Sequence, residues 1–130
     1  MAFLHARHFT LEEARVALAE VGPLSEELVN LKETLDRWGY DVRRHGYFGG
    51  AGPNGESYFP PELERLVEVL RHLEAIGVVV KGIDHGLVDF PHVRRGGEEV
   101  YLCFRAGETD VAYWHSIDEG FAGRRPISEL

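Results

Sequence analysis

The stretch LSEELVNLKETLDRWGYDV, residues 24–42, decides the fold because its large apolar side chains recur at alternating steps of four and three residues. Those side chains are Leu24, Leu28, Leu31, Leu35, Trp38 and Val42. This spacing places them on one stripe of a helix, and such a stripe packs along a second helix. The sequence therefore predicts a long helix that needs a helical partner.

A capping box marks the start of helical structure upstream. Thr10 precedes Glu13 by three residues, so the hydroxyl can accept from the Glu13 amide while the Glu13 carboxylate accepts from the Thr10 amide. A helix is predicted from this point to Val21. We expect Gly22-Pro23 to break or kink it, because proline has no amide hydrogen, and Pro23 then begins the second segment.

The partner helix is predicted from Pro60 to Gly77, with a proline-rich start and a glycine at its end. Its stripe consists of Leu63, Leu66, Leu70 and Leu73. Together the helices predict an αα-hairpin over residues 10–77. Its tip, residues 43–59, contains five glycines and is expected to lack regular structure.

After Gly77 the pattern changes to short β-type runs separated by turn signals. The predicted strands are 78–80, 87–90, 100–105 and 111–115. Because the connections are short, they favour an antiparallel meander of three to four strands followed by an irregular tail. The fold class is therefore α+β, with residues 1–130 as a single domain: a helical hairpin over 10–77, and a meander and tail over 78–130.

The last predicted hairpin has a symmetric loop that pairs Arg105 with Asp110. This register predicts an apolar core face and a second, more polar face. The core face would carry Val100, Leu102, Phe104, Val111, Tyr113 and His115, and the second face Tyr101, Cys103, Arg105, Asp110, Ala112 and Trp114.

Composition excludes several classes of protein. A formal net charge of -8 over 130 residues argues against general nucleic-acid binding, which needs cations to neutralise phosphates. The single cysteine, Cys103, excludes an internal disulfide framework. The sequence contains neither a signal-peptide core nor an apolar run that could span a membrane, so a cytoplasmic location is expected.

The densest group of reactive side chains lies in the tail, residues 113–126. His115, Asp118 and Arg124 fall within about a dozen residues, and Asp89 can approach them across the sheet. His115, Asp118 and Asp89 offer nitrogen and oxygen ligands for a divalent metal ion, and with Arg124 they are candidates for acid/base catalysis. The alternative is a hydrogen-bond network that fixes the tail on the sheet.

Three arginine pairs lie in predicted loops or the tail: Arg43-Arg44, Arg94-Arg95 and Arg124-Arg125. If the fold joins Arg94 and Arg95 to Arg124 and Arg125, the guanidinium groups could bind a small phosphate or carboxylate ligand. The alternative is that they balance carboxylates on a solvated surface.

Smaller signals have plainer interpretations. His5 and His8 could share a metal ion on a helix, but they precede the capping box, so terminal disorder or surface exposure is expected. Cys103 is predicted to be a buried, inert thiol because no histidine can be assigned beside it. Arg105 is predicted to pair with Asp110 across the hairpin.

Four stretches together resemble a bacterial domain-of-unknown-function family, number 2203. They are residues 9–14 (FTLEEA), 86–91 (GLVDFP), 100–108 (VYLCFRAGE) and 113–124 (YWHSIDEGFAGR). The resemblance spans nearly the whole chain and implies a small stand-alone bacterial protein. It supplies no catalytic assignment.

Three functions remain open. The absence of a recognised catalytic motif favours a non-enzymatic binding module, expected to be a homodimer that buries the Tyr101/Trp114 sheet face or the helical stripe. The second is a small metal-dependent or acid/base enzyme centred on His115, Asp118 and Arg124. The third is an anion or nucleotide sensor that uses the arginine pairs.

Overall fold

The computed structural model describes residues 2–43, 46–47 and 60–130, and in it two helices pack on one face of an antiparallel sheet. The elements are α1 (Leu11–Arg37), β1 (Tyr40–Asp41), β2 (Gly46–Tyr47), α2 (Pro61–Ile76), β3 (Val79–Gly82), β4 (Leu87–Val93), β5 (Glu99–Arg105), β6 (Tyr113–Ser116) and β7 (Arg125–Pro126). Strands β3 to β7 form a five-stranded meander in chain order, and β1 pairs with β2. The α+β class is confirmed. The tail is more regular than predicted, because it supplies the fifth strand.

Helix α1 begins as predicted and then continues past the predicted break. The Thr10 hydroxyl accepts from the Glu13 amide at 3.0 Å, and the Glu13 carboxylate accepts from the Thr10 amide at 2.8 Å. Pro23 lies inside the continuous 27-residue helix. Its missing amide removes one hydrogen bond, while Val21 and Leu24 on either side are buried against the core, and that burial holds the helix together.

The same helix ends earlier than the leucine stripe suggested. It stops at Arg37, and Gly39 with φ of 74° turns the chain into β1. Leu28 and Leu35 are buried, whereas Trp38 is 43% exposed, so the prediction that the stripe continues to Val42 is wrong. The partner helix α2 starts and stops where predicted. Residues 44–45 and 48–59 of the predicted tip lie outside the described part of the chain.

The register of the last hairpin differs from the prediction by one residue. Tyr101 pairs with His115 and Leu102 with Trp114, so the connection is odd and Arg105 does not face Asp110. Trp114 therefore lies on the helix side of the sheet, 2% exposed, and His115 lies on the opposite face. This register buries the larger indole in the core, and a slip of one residue moves every side chain of β6 to the other face.

The core lies between the helices and one sheet face. Its sheet side chains are Val88, Phe90, Val100, Leu102, Phe104 and Trp114. They meet Leu28, Leu35, Leu66 and Leu73 from the helices. The outer sheet face, which points away from the helices, consequently carries the alternate residues of β4, β5 and β6. Among the described residues, no helix has the length and apolar character needed to cross a bilayer.

Candidate metal centre

Three buried side chains with metal-binding atoms meet on the outer sheet face. Asp89 comes from β4, Cys103 from β5 and His115 from β6. Asp89 and Cys103 are directly paired, and His115 lies one alternation further along β6, opposite Tyr101. Since alternate residues of neighbouring strands share a face, the meander itself brings the three together.

The geometry of this cluster is tight. His115 Nε2 lies 3.1 Å from Asp89 Oδ1 and 3.0 Å from Asp89 Oδ2. One ligating atom from each of Asp89, Cys103 and His115 falls within 4.8 Å of the others. Their exposed fractions are 1%, 2% and 2%, so solvent does not reach them.

The second ring nitrogen of His115 fixes the ring. Nδ1 lies 2.8 Å from the carbonyl oxygen of Ser116, which can only accept, so Nδ1 is the donor. The other ring nitrogen, Nε2, faces Asp89. Burial disfavours a charged imidazole here, but hydrogen bonds to Asp89, Cys103 and the Ser116 carbonyl outweigh it and raise the pKa of His115 to about 10. Without a metal ion, Asp89 and His115 form a buried ion pair.

Tyr101 covers the cluster on one side. Its ring centroid is 5.5 Å from that of His115, and its side chain is itself buried. The ammonium of Lys81 lies 4.6 Å from the Tyr101 ring centroid. Burial raises the pKa of Tyr101, and the charges of Asp89 and Glu99 raise it further. The phenol is therefore neutral beside the cluster.

Arg124 lies on the other side of the cluster. It donates to the carbonyl of Cys103 at 3.2 Å and to both carboxylate oxygens of Glu108 at 2.8 and 2.6 Å. Its guanidinium also stacks on Tyr113 and Phe121, at 4.2 and 4.5 Å from the ring centroids. With all these partners, Arg124 ties the tail to the sheet.

Of the predicted tail group, the structure brings Asp89 and His115 together and leaves Asp118 out. Asp118 is exposed in the turn after β6 and is not part of the cluster. The carboxylate that organises this turn is Glu119, which accepts from the Ser116 amide at 3.3 Å and from Arg125 at 3.1 Å. The backbone bends away after Ser116, so proximity in sequence does not bring Asp118 back to His115.

One arginine from each of two pairs, Arg94 and Arg125, meets the other at Trp114, and both already have a carboxylate partner. The guanidinium groups of Arg94 and Arg125 lie 4.5 and 4.9 Å from the ring centroid of Trp114. Arg94 is bonded to Glu98 and Arg125 to Glu119, which leaves little charge for a small anion. Arg95 is exposed. Anion binding stays a prediction, and Arg44 lies outside the described residues.

The N-terminal histidines are ordered on the sheet rather than loose. His8 Nε2 lies 2.7 Å from Glu99, and His5 Nε2 lies 2.6 Å from the hydroxyl of Tyr101. The two rings have different partners and do not form a shared site. The expectation of terminal disorder or plain exposure is wrong, because Glu99 on β5 supplies a buried carboxylate that the sequence did not single out.

Two other expectations change with the register. Cys103 is buried as predicted, but His115 lies beside it. Asp110 pairs with Arg15 at 3.1 Å instead of with Arg105. The pairing of Asp89 with Cys103 could have been predicted from the sequence, because a β4–β5 turn centred on Gly96 places residues 89 and 103 opposite each other.

The surfaces proposed for a homodimer are already used within the protomer. Tyr101 and Trp114 lie on opposite sheet faces and are both 2% exposed. Leu24, Leu28 and Leu35 of the stripe are buried under α2 and the sheet. Dimerisation stays a prediction, and it requires another surface.

The arrangement does not form a nucleophilic triad. In such a triad the base uses one nitrogen for the nucleophile and the other for the orienting acid. Here Nδ1 of His115 is bonded to a backbone carbonyl and Nε2 faces both Asp89 and Cys103, so no nitrogen is reserved for Cys103.

Comparison with known proteins gives one family and no further relatives. The family model described as an uncharacterized conserved protein, DUF2203, matches residues 7–127. No curated protein and no solved structure matches the chain. Because the match covers both helices and the whole five-stranded sheet, the chain belongs to the DUF2203 family.

Proposed function

We propose that this protein is a non-enzymatic binding module that holds one divalent transition-metal ion with Asp89, Cys103 and His115. The observation that carries the proposal is the convergence of an oxygen, a sulfur and a nitrogen ligand in one buried cluster. The three side chains come from three adjacent strands. For packing alone, the buried carboxylate and imidazole would be cheaper to replace by apolar residues.

The orientation of His115 fits this role. Histidines that bind metals almost always donate their other ring nitrogen to a carbonyl or carboxylate, which fixes the tautomer. Nδ1 of His115 does this with Ser116, and Nε2 faces the other two ligands. The separation of 3.0 Å between Nε2 and Asp89 Oδ2 is close to the roughly 3.3 Å that two ligands with bonds of about 2.0 Å span around a tetrahedral ion.

The donor set selects the class of ion. Thiolate and imidazole favour Zn²⁺ and neighbouring transition ions, whereas Mg²⁺ and Ca²⁺ prefer oxygen alone. Asp89, Cys103 and His115 supply three of the four ligands that such an ion usually takes. The burial of all three supports binding over turnover, because a substrate could not touch them in this conformation.

Cobalt provides the direct test. Chelator-treated protein, purified without an affinity tag, is titrated with Co²⁺ while the thiolate-to-cobalt charge-transfer absorption in the near ultraviolet is followed. We expect saturation at one equivalent and displacement of Co²⁺ by Zn²⁺. Cys103→Ser should abolish the absorption band, and Asp89→Asn should weaken binding by about tenfold or more.

Asp118→Asn is the matched control, because this exposed carboxylate lies outside the cluster and its removal should leave binding unchanged. A wild-type protein that takes up neither Co²⁺ nor Zn²⁺ would refute the proposal. The cluster would then be the buried network that fixes the sheet.

A further inference from the structure

Residues 2–8, here called the N-terminal strap, lie across the outer face of β5 beside the cluster. One carboxylate, that of Glu99, makes three of their contacts with the sheet. Glu99 accepts from the amides of Leu4 at 2.8 Å and His5 at 3.0 Å, and it contacts His8 Nε2 at 2.7 Å. The side chain of Glu99 is 9% exposed and that of His8 is 21% exposed, and the bond from the Leu4 amide lies at the surface.

The strap reaches the cluster through Tyr101. His5 is hydrogen-bonded to the Tyr101 hydroxyl, and the two ring centroids are 5.3 Å apart. On its other side the Tyr101 ring packs against His115. His5, Tyr101 and His115 therefore form a continuous series of ring contacts that links the strap to the cluster.

The strap has a fixed base and a weakly anchored body. At its base, Phe9 is buried against Phe90, and its amide donates to the carbonyl of Pro91 at 2.7 Å. Beyond it, Phe3 and Leu4 are 51% and 67% exposed, so the strap buries little apolar surface. Segments with few buried apolar contacts open at low free-energy cost, while the rest of the fold stays intact.

We propose that the N-terminal strap is a hinged cover over the Asp89–Cys103–His115 cluster, with Glu99 as the contact that keeps it closed. Opening swings residues 2–8 away from β5 and uncovers Tyr101 and the cluster behind it. The entry of a metal ion by this route rests on the proposed function. The opening itself does not.

The competing route runs past the tail. Arg124 and Tyr113 cover the cluster on that side, and Arg124 is bonded to both oxygens of Glu108. A half-buried bidentate pair with two aromatic neighbours opens at a higher cost than backbone amides bonded to one carboxylate. The two routes predict different responses to loss of Glu99 and of Glu108.

Cys103 reports access without a metal ion, because it is the one cysteine in the sequence. The metal-free full-length protein is reacted with a thiol reagent under native conditions, and the labelling rate is followed across a low range of urea. We expect Glu99→Gln to raise the rate by about tenfold or more, since it removes the charge that binds three donors. The rate should hardly change with urea, because local opening exposes little surface.

Two matched variants make the result decisive. Glu98→Gln removes the neighbouring carboxylate, which pairs with Arg94 at the surface, and should leave the labelling rate unchanged. Glu108→Gln loosens the tail and should raise the rate less than Glu99→Gln does. Equal rates for wild type and Glu99→Gln, or a larger effect of Glu108→Gln, would overturn the proposal, as would labelling that follows global unfolding in urea.

A cobalt experiment extends the test to the ion. Co²⁺ uptake by Glu99→Gln should be faster than by wild type, by a factor similar to that for labelling. Faster labelling without any cobalt uptake would mean that the cover exists and the metal proposal fails. Cobalt uptake with an unchanged labelling rate would mean the reverse.

Discussion

Replacement of His115 by leucine in the metal-free protein should be strongly destabilising. The imidazole and the Asp89 carboxylate are each 2% exposed as side chains, and they are 3.0 Å apart. Leucine fills a similar volume, so the main change is electrostatic. The carboxylate is left buried without its cation.

The expected loss follows from that burial. Breaking a buried ion pair by removing one partner typically costs about 3–5 kcal/mol, because the remaining charge is not compensated. A chain of 130 residues has a total stability of about 6–20 kcal/mol at the usual stability per residue. His115→Leu should therefore remove a substantial share of the free energy of unfolding. The double variant Asp89→Asn/His115→Leu should lose less than the sum of the single variants, by about 1–3 kcal/mol.

Urea unfolding followed by far-ultraviolet circular dichroism measures these free energies, with a chelator present throughout. The dependence on urea should keep its slope, since the folded state buries the same surface. His72→Leu is the matched control, because His72 and its partner Glu20 are 48% and 57% exposed. It should change the free energy of unfolding by less than about 0.5 kcal/mol.

A loss below about 1 kcal/mol for His115→Leu would refute the reasoning. The pair would then be either solvated or neutral in solution. Strict additivity of Asp89→Asn and His115→Leu would lead to the same conclusion, since coupled charges cannot be additive.

The remaining predictions concern pH, a turn and a helix start. The pKa of His115 is raised from 6.5 to about 10, so the stabilisation by this residue is complete below about pH 6.5 and is lost as the pH rises toward 10. The urea midpoint of the metal-free protein should therefore fall over that range. It should fall less in His115→Leu. Gly86→Ala should cost about 1–3 kcal/mol in urea unfolding, because φ is +61° and a Cβ would lie 2.6 Å from that of Ala106; Gly97→Ala, also at positive φ but in open space, should cost less. Thr10→Ala should lower the thermal midpoint by an amount equivalent to about 1 kcal/mol, because the cap of α1 loses its side-chain acceptor.

Local signals in the sequence predicted the start of α1, both ends of α2 and the order of β3 to β6, but not β1, β7 or β2, which lies in the tip expected to lack regular structure. Thr10 with Glu13 is a hydrogen-bonding pattern complete within four residues, and the structure contains it. The outcome at Pro23 depended on distant partners. One lost hydrogen bond ends an isolated helix, but the burial of Val21 and Leu24 against other elements holds α1 together, and no local pattern measures that burial.

The register of β6 shows a different limit. An alternating strand fits either register of its hairpin, and the choice depends on which face has room for the indole of Trp114. The same choice moved His115 to the outer face and set it beside Cys103. Asp89 and Cys103 could be placed opposite each other from the β4–β5 turn alone, whereas His115 needed the correct register of β6 and Glu99 needed the path of the strap.

The strap also sets an order of events during synthesis. Its hydrogen bonds to Glu99 join residues 91 to 95 positions apart, whereas Asp89 and His115 are 26 positions apart. Glu99, the residue that binds the strap, is made 91 to 95 residues after the strap residues that it contacts. Contacts that close long loops also form slowly. The three ligands can thus assemble within the β4–β5–β6 meander before the strap docks. The cluster is therefore least covered in a newly made protein.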